Sequence, residues 1–123
     1  MKTTQELCNT IREIAYAIHF YLGHGHMEKV YENALAIRLK KAGLKIRQQH
    51  PVNVYDEGGA LIGEYFVDLL VEDCLLLELK ACQQLSNEHT VQILGYLKST
   101  RIKDGLLINF GNYKFQIKKF IVS

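Results

Sequence analysis

The stretch FVDLLVEDCLLLELKA, residues 66–81, is apolar enough for two buried strands, yet it carries Asp68, Glu78 and Lys80. Side chains alternate across a strand, so Glu78 and Lys80 share one face and Leu77 and Leu79 the other. On the preceding strand Asp68 falls on the face of Phe66 and Leu70. An unpaired buried carboxylate costs several kcal/mol or is forced neutral. Two arrangements avoid that cost. Lys80 can neutralise one acid as a structural ion pair, or Asp68 and Glu78 can converge on a divalent cation with Lys80 beside it. Two acids and one lysine fit the second better, because a hard, oxygen-binding cation calls for more than one carboxylate. For the acids to share a face, Asp68 must lie opposite Glu78, which leaves a three-residue loop from Glu72 to Cys74. A two-residue Glu72-Asp73 turn would pair Asp68 with Leu77 and send the acids to opposite faces.

The flanking sequence supplies elements to position this hairpin. TTQELCNTIREIAYAIHFYLG opens with Thr3 and Glu6 at capping-box spacing and repeats Leu7, Ile11, Ile14 and Ile18 at helical period, with Gly23 as a stop. After GHGH, the segment MEKVYENALAIRLKKAG predicts a second helix, with Val30, Ala34 and Ile37 on one face, Tyr31 and Leu35 widening it, and Gly43 ending it. KIRQQHPVNVYD is a first strand whose Pro51 belongs at an edge or an irregularity. EGGA is a turn, and the hairpin follows as two strands. Ser86 can cap a third helix, NEHTVQILGYLKST; DGLLINFG and YKFQIKKFIV read as closing strands. The predicted order is α-α-β-β-β-α-β-β, an α/β fold with helices covering both faces of a central mixed sheet.

With 123 residues the expectation is one domain over 1–123, and no linker composition suggests a cut. A net charge of +2 is too small to argue for nucleic-acid binding by itself. Arg38, Lys40, Lys41, Lys45 and Arg47 cluster, as do Lys114, Lys118 and Lys119, and the plain reading of each is a solvated face. Cys8, Cys74 and Cys82 lack metal or disulfide spacing and, without a signal peptide, point to reduced thiols in a cytoplasmic protein. Charges interrupt every apolar run before it reaches the length of a membrane span.

An aspartate ending one strand followed by Glu-x-Lys on the next resembles the PD-(D/E)XK nuclease superfamily, whose core is restriction-endonuclease-like. The wider match is to the GxxExxY family placed within it: Gly25, Glu28 and Tyr31 stand in GHMEKVY, followed in order by YENAL, VDLLVED, LELKA, HTVQILGYL and GLLINFG. The resemblance spans about residue 10 to residue 111. It implies that Asp68 and Glu78 ligate Mg²⁺ or Mn²⁺, with the Leu79 carbonyl as a third ligand, and that Lys80 orients or deprotonates the attacking water. Glu28 matches an additional helix acid of such sites, which would approach Asp68 and Glu78 closely enough to share the cation or a water. Gln92 and Tyr96 match a helix motif that could hold Lys80 or a substrate phosphate, being one turn apart on a shared face. Val67 replaces the proline of the family pattern. The implied activity is metal-dependent hydrolysis of nucleic-acid phosphodiesters, DNA favoured over RNA. The chemistry is coherent on its own terms: such cleavage requires a cation held by carboxylates, and a cationic donor for transition-state charge.

Other candidates compete. Glu32, one turn beyond Glu28, could equally be the helix acid, whereas Tyr31 reads as core. His19, His24 and His26 lack a second ligand pair suited to zinc. His89 fits a polar first-turn residue as well as a site role, and Cys82 fits a small packing residue. The alternative function is a non-catalytic nucleic-acid-binding or adaptor module that keeps the fold; an intact Asp68–Glu78–Lys80 set argues against it. So short a chain has little beyond its core to grip DNA, which makes a homodimer or a larger partner plausible.

Overall fold

The computed structural model describes residues 2–123. Two helices, α1 (Thr4–Leu22) and α2 (Glu28–Lys41), precede strands β1 (Ile46–Tyr55), β2 (Leu61–Val71) and β3 (Leu75–Lys80); α3 (Asn87–Thr100), β4 (Asp104–Asn109) and β5 (Gln116–Ile121) follow. The predicted order is the observed one. The strands lie in sequence order across one five-stranded sheet. Neighbours are antiparallel except β3 and β4, which run parallel because α3 crosses over between them. This is the restriction-endonuclease-like α/β architecture expected from the sequence.

Capping starts α1 where the spacing places it: the Glu6 N–H donates to the Thr3 hydroxyl at 3.1 Å, and the Thr3 N–H donates to Glu6 Oε1 at 2.9 Å. Helices α1 and α2 cover one face of the sheet through Leu7, Ile11, Ile18, Leu35 and Leu39, which pack on Leu69, Leu75, Leu77, Leu79 and Ile108. Helix α3 covers the other through Ile93, Tyr96 and Leu97, against Val52, Val67, Leu70, Leu76 and Leu107. With both faces covered, β3 is buried over Leu75–Leu79, as its near-continuous apolar run requires.

The core face of α2 differs from the expected one. Val30 and Ile37 are exposed, whereas Tyr31, Glu32, Leu35, Ala36 and Leu39 are buried. The helix carries two apolar stripes, and the one holding a tyrosine and two leucines buries the larger area. Tyr31 stacks on Phe110 with ring centroids 4.7 Å apart. That rotation turns Glu32 inward and leaves Glu28 at the open N-terminal end. Among the described residues, no helix is long and apolar enough to cross a membrane.

Candidate active site

The hairpin has the register that brings the acids together. Val71 pairs with Leu75, Leu70 with Leu76 and Leu69 with Leu77, leaving Glu72–Cys74 as the three-residue loop. Glu72 and Asp73 both turn at positive φ, and the Cys74 N–H closes the loop on the Val71 carbonyl. The next positions in register are Asp68 and Glu78, and there side chains replace the backbone ladder. The Asp68 N–H donates to Glu78 Oε1 at 3.2 Å, and the Leu79 N–H donates to Asp68 Oδ2 at 2.7 Å. The two carboxylates thus satisfy the N–H groups left where the strands part.

A switch of faces in β1 and β2 produces this parting. Leu69 packs under α1 and α2, but Val67, two residues earlier, packs under α3. Ile46 and Val52 of β1 divide in the same way. Residues an even number apart share a face in a regular strand, so both strands turn over between these positions. The turnover in β1 lies at Gln49, whose φ of 53° is left-handed. Gln49 stands across from Asp68, between the Gln48–Leu69 and His50–Val67 pairs. Asp68 therefore does not share a regular face with Phe66 and Leu70 as strict alternation implies: Leu70 is buried and Phe66 half-exposed. Pro51 follows this irregularity on the edge strand, where its missing N–H costs least.

Gln49 ties the turnover to α2. Its Nε2 donates to Glu32 Oε1 at 2.8 Å and to Asp68 Oδ1 at 3.3 Å. Glu32 Oε2 accepts from Gln48 at 2.7 Å and from Lys29 at 3.0 Å, so this 2%-exposed carboxylate is satisfied by three donors. Of the two helix acids, Glu32 is the buried brace and Glu28 the accessible group. Burial first, and then Asp68 and Glu32, raise the pKa of Glu28 against the pull of Lys80, so Glu28 lies within the field of the strand acids. Tyr31 sets the entry to this helix: its hydroxyl donates to the Gly23 carbonyl at 2.6 Å and accepts from the His26 N–H at 3.2 Å. Between them Gly25 adopts a φ of 115°, which favours glycine. The Gly25, Glu28 and Tyr31 spacing is thus a turn, an acid and a clamp.

Lys80 completes the cluster. Its Nζ donates to Gln92 Oε1 at 2.8 Å and stands 3.7 Å from Glu78 Oε2. Burial, and then Asp68, push Glu78 up to about 8, with Lys80 opposing. Asp68 is raised too, by burial first, against the Leu79 N–H that favours its charged form. Tyr96 is buried beside Tyr65, and its pKa is raised by burial and then by Glu78 and Asp68. The structure therefore brings Asp68, Glu78, Lys80 and Gln92 into contact, sets Tyr96 and Glu28 within their field, and places Glu32 behind them. Among the described residues, no three acidic, histidine or cysteine side chains converge as a closed metal cage. The donor set is a pair of carboxylates that repel one another in a buried setting. That set suits Mg²⁺ or Mn²⁺, since Mg²⁺ is commonly held by one or two carboxylates and keeps several waters.

The remaining candidates are structural. His89 Nδ1 accepts from the Ser86 N–H at 3.1 Å and caps α3. Cys82 sits against Asn109, a buried amide that accepts from the Cys82 and Gly111 N–H groups and donates to the Cys82 carbonyl and Gln116. His19 bonds the Asn112 carbonyl, while His24 and His26 pack edgewise on Tyr113 and Tyr31. Sequence reasoning missed Gln48 and Gln49; two adjacent amides just before a strand proline were the available signal.

Comparison with known proteins agrees with this fold. The chain is similar in fold to the crystal structure of SSO0001, with a TM-score of 0.63 and 16% identity, over 86% of this chain and 52% of that one. The chain spans about half the length of that protein. No curated protein matches the sequence. The family model for the PD-(D/E)XK nuclease superfamily matches residues 5–120. A match over nearly the whole chain establishes that the chain belongs to the PD-(D/E)XK nuclease superfamily.

Proposed function

We propose that this chain is a divalent-metal-dependent nuclease of the GxxExxY type, a single catalytic domain that hydrolyses nucleic-acid phosphodiesters, DNA in preference to RNA, in the cytoplasm. The observation that carries this reading is the contact of a buried acid pair with a lysine held in place by Gln92. A purely binding module has no use for a buried Glu78 whose pKa is raised by burial and by Asp68 beside it.

In this reading Asp68, Glu78 and the Leu79 carbonyl would hold Mg²⁺ or Mn²⁺, which when bound would supply Lewis-acid polarisation of the phosphoryl oxygen and a more acidic water. Lys80 orients that water and offsets the charge that develops on the phosphate. The water oxygen bonds to phosphorus as a phosphorus–oxygen bond to one sugar breaks, and the water's proton ends on the departing sugar oxygen. Gln92 positions Lys80, so the ammonium is aimed before substrate arrives. Tyr96, at the edge of the acids' field, contacts the substrate phosphate. Glu28 acts on the water from the open end of α2. A homodimer or a larger partner supplies further grip on the nucleic acid.

Nicking of supercoiled plasmid with Mg²⁺ or Mn²⁺, against a chelator control, tests the activity. Lys80→Met keeps much of the stem's packing and removes the charge. It is expected to lower cleavage by roughly a hundredfold, the usual cost of about 3 kcal/mol for a contact made mainly in the transition state, while DNA affinity stays within a few-fold. A folded Lys80→Met protein that cuts at the wild-type rate removes Lys80 from the mechanism. A wild type that cuts neither DNA nor RNA with either metal leaves the non-catalytic binding module as the function.

A further inference from the structure

Beside Lys80 the surface opens into a slot of about 320 Å³ between the β1–β2 hairpin and α3, lined by Val54 and Tyr65 from the hairpin and by Val91, Gln92, Gly95 and Tyr96 from the helix. Gln92 is shared: the amide that holds Lys80 also lines the slot. Tyr65 is half-exposed and Val91 largely so, so an apolar wall faces solvent next to the charged cluster.

Gly95 is the informative residue. It lies in the interior of α3, where a glycine costs about 0.5–1 kcal/mol relative to alanine. Two other glycines in this part of the fold have an internal reason. A Cβ at Gly105 would come within 3.1 Å of Ile93 Cδ1, where α3 lies on the sheet, and one at Gly111 would strike the backbone of Ala81 and Cys82. A Cβ at Gly95 would meet nothing within 4 Å, and its φ is not in the region that favours glycine. The fold gains nothing from the missing side chain; the slot gains room.

We propose that the slot receives one unstacked nucleobase of a single-stranded nucleic acid, laid against the Tyr65 ring and over Gly95, while the adjoining phosphate lies at Lys80. This deepens the nuclease reading and rests on it. A planar, largely apolar group fits walls of two tyrosine rings and two valines, and base–aromatic stacking tolerates any base because each has a π-face. A base within a duplex is already stacked on both sides and cannot enter, so the geometry selects single strands, flaps or frayed ends.

The experiment measures anisotropy of a labelled single-stranded oligonucleotide and of its blunt duplex, in chelator so that no cleavage intervenes, for wild type, Gly95→Ala, Gly95→Leu, Tyr65→Phe and Tyr65→Ala. Wild type is expected to prefer the single strand. Gly95→Leu and Tyr65→Ala should each weaken single-strand binding about tenfold with little effect on the duplex, and Tyr65→Phe should restore it. Gly95→Ala should raise the melting temperature by about 2–5 °C, because the helix loses its glycine, while still weakening single-strand binding. Wild-type preference for the duplex, unchanged single-strand affinity in Gly95→Leu, or a lower melting temperature in Gly95→Ala would each overturn the proposal. Cleavage of the same single-stranded oligonucleotide by the wild-type protein with Mg²⁺ or Mn²⁺ in place of chelator tests the active site separately. Cleavage with unaltered binding in the slot variants refutes the slot alone, and selective binding without cleavage refutes the nuclease alone.

Discussion

Replacing Glu78 by glutamine should make the protein more stable and inactive at once, with a pH dependence set by the site. Glu78 is buried, and its pKa rises from an ordinary 4.5 to about 8 because burial and Asp68 disfavour its charged form. For a carboxylate raised in this direction, the folded state binds more protons than the unfolded state between the two values, so stability falls as pH rises from 4.5 to 8 and is level above that. Each pH unit in the window costs about 1.4 kcal/mol, which sums to an upper limit of about 5 kcal/mol. Asp68 shares the titration and Lys80 remains 3.7 Å away, so a single substitution should recover roughly 2–3 kcal/mol. Glutamine resembles the protonated acid and keeps an oxygen for the Asp68 N–H. The difference between Glu78→Gln and wild type should be small near pH 5 and reach its full value by pH 8.5. The chain has no tryptophan, so urea denaturation in chelator, followed by far-ultraviolet circular dichroism at several pH values, is the suitable assay. Parallel stability profiles from pH 5 to 9, or a glutamine variant less stable than wild type at pH 8.5, would refute the reasoning that the acids are held together against their own repulsion.

The same repulsion makes cation binding stabilising, so millimolar Mn²⁺ or Mg²⁺ should raise the melting temperature of wild type and raise that of Asp68→Asn less; an equal shift in both would place the cation elsewhere. Tyr31→Phe keeps the stack on Phe110 but leaves the Gly23 carbonyl and the His26 N–H without their partner, and should cost about 1–2 kcal/mol in urea denaturation. Its cleavage rate should also fall, because that hydroxyl fixes the turn from which Glu28 projects; full activity in a destabilised Tyr31→Phe would detach Glu28 from the reaction.

Much of this arrangement was legible in the chain because it rests on strong periodicities. The alternation and length of the apolar runs suffice for α-α-β-β-β-α-β-β, and a mixed sheet follows from a helix between β3 and β4. The three-residue loop followed from a chemical demand, that Asp68 and Glu78 share a side, rather than from any turn motif. Helical spacing could not choose between Glu28 and Glu32, because residues four apart lie on one face. The choice depends on which stripe of α2 turns inward and on the amides across from it in β1. Val30 and Ile37 were misleading for the same reason: each is apolar, but the Tyr31, Leu35 and Leu39 stripe buries more.

What alternation could not convey is the turnover at Gln49 and Asp68, and the site depends on it. In two regular strands the Asp68 and Leu79 backbone groups would sit in a continued β2–β3 ladder and the aspartate would stand perpendicular to the sheet. The left-handed Gln49 ends that regularity, and the Asp68 and Glu78 side chains take the hydrogen bonds the ladder gives up. A left-handed non-glycine residue costs of order 1–3 kcal/mol and persists only where its surroundings over-determine it. Here they do: Glu32, itself buried and held by Gln48 and Lys29, accepts from the Gln49 side chain, which also reaches Asp68. The strain, the buried brace and the raised acids form one construction. A sequence optimised for stability alone would place glycine at 49 and apolar residues at 32 and 78. In the proposed reading the glutamine and the two acids at those positions serve a site that takes up a cation and stays open to substrate.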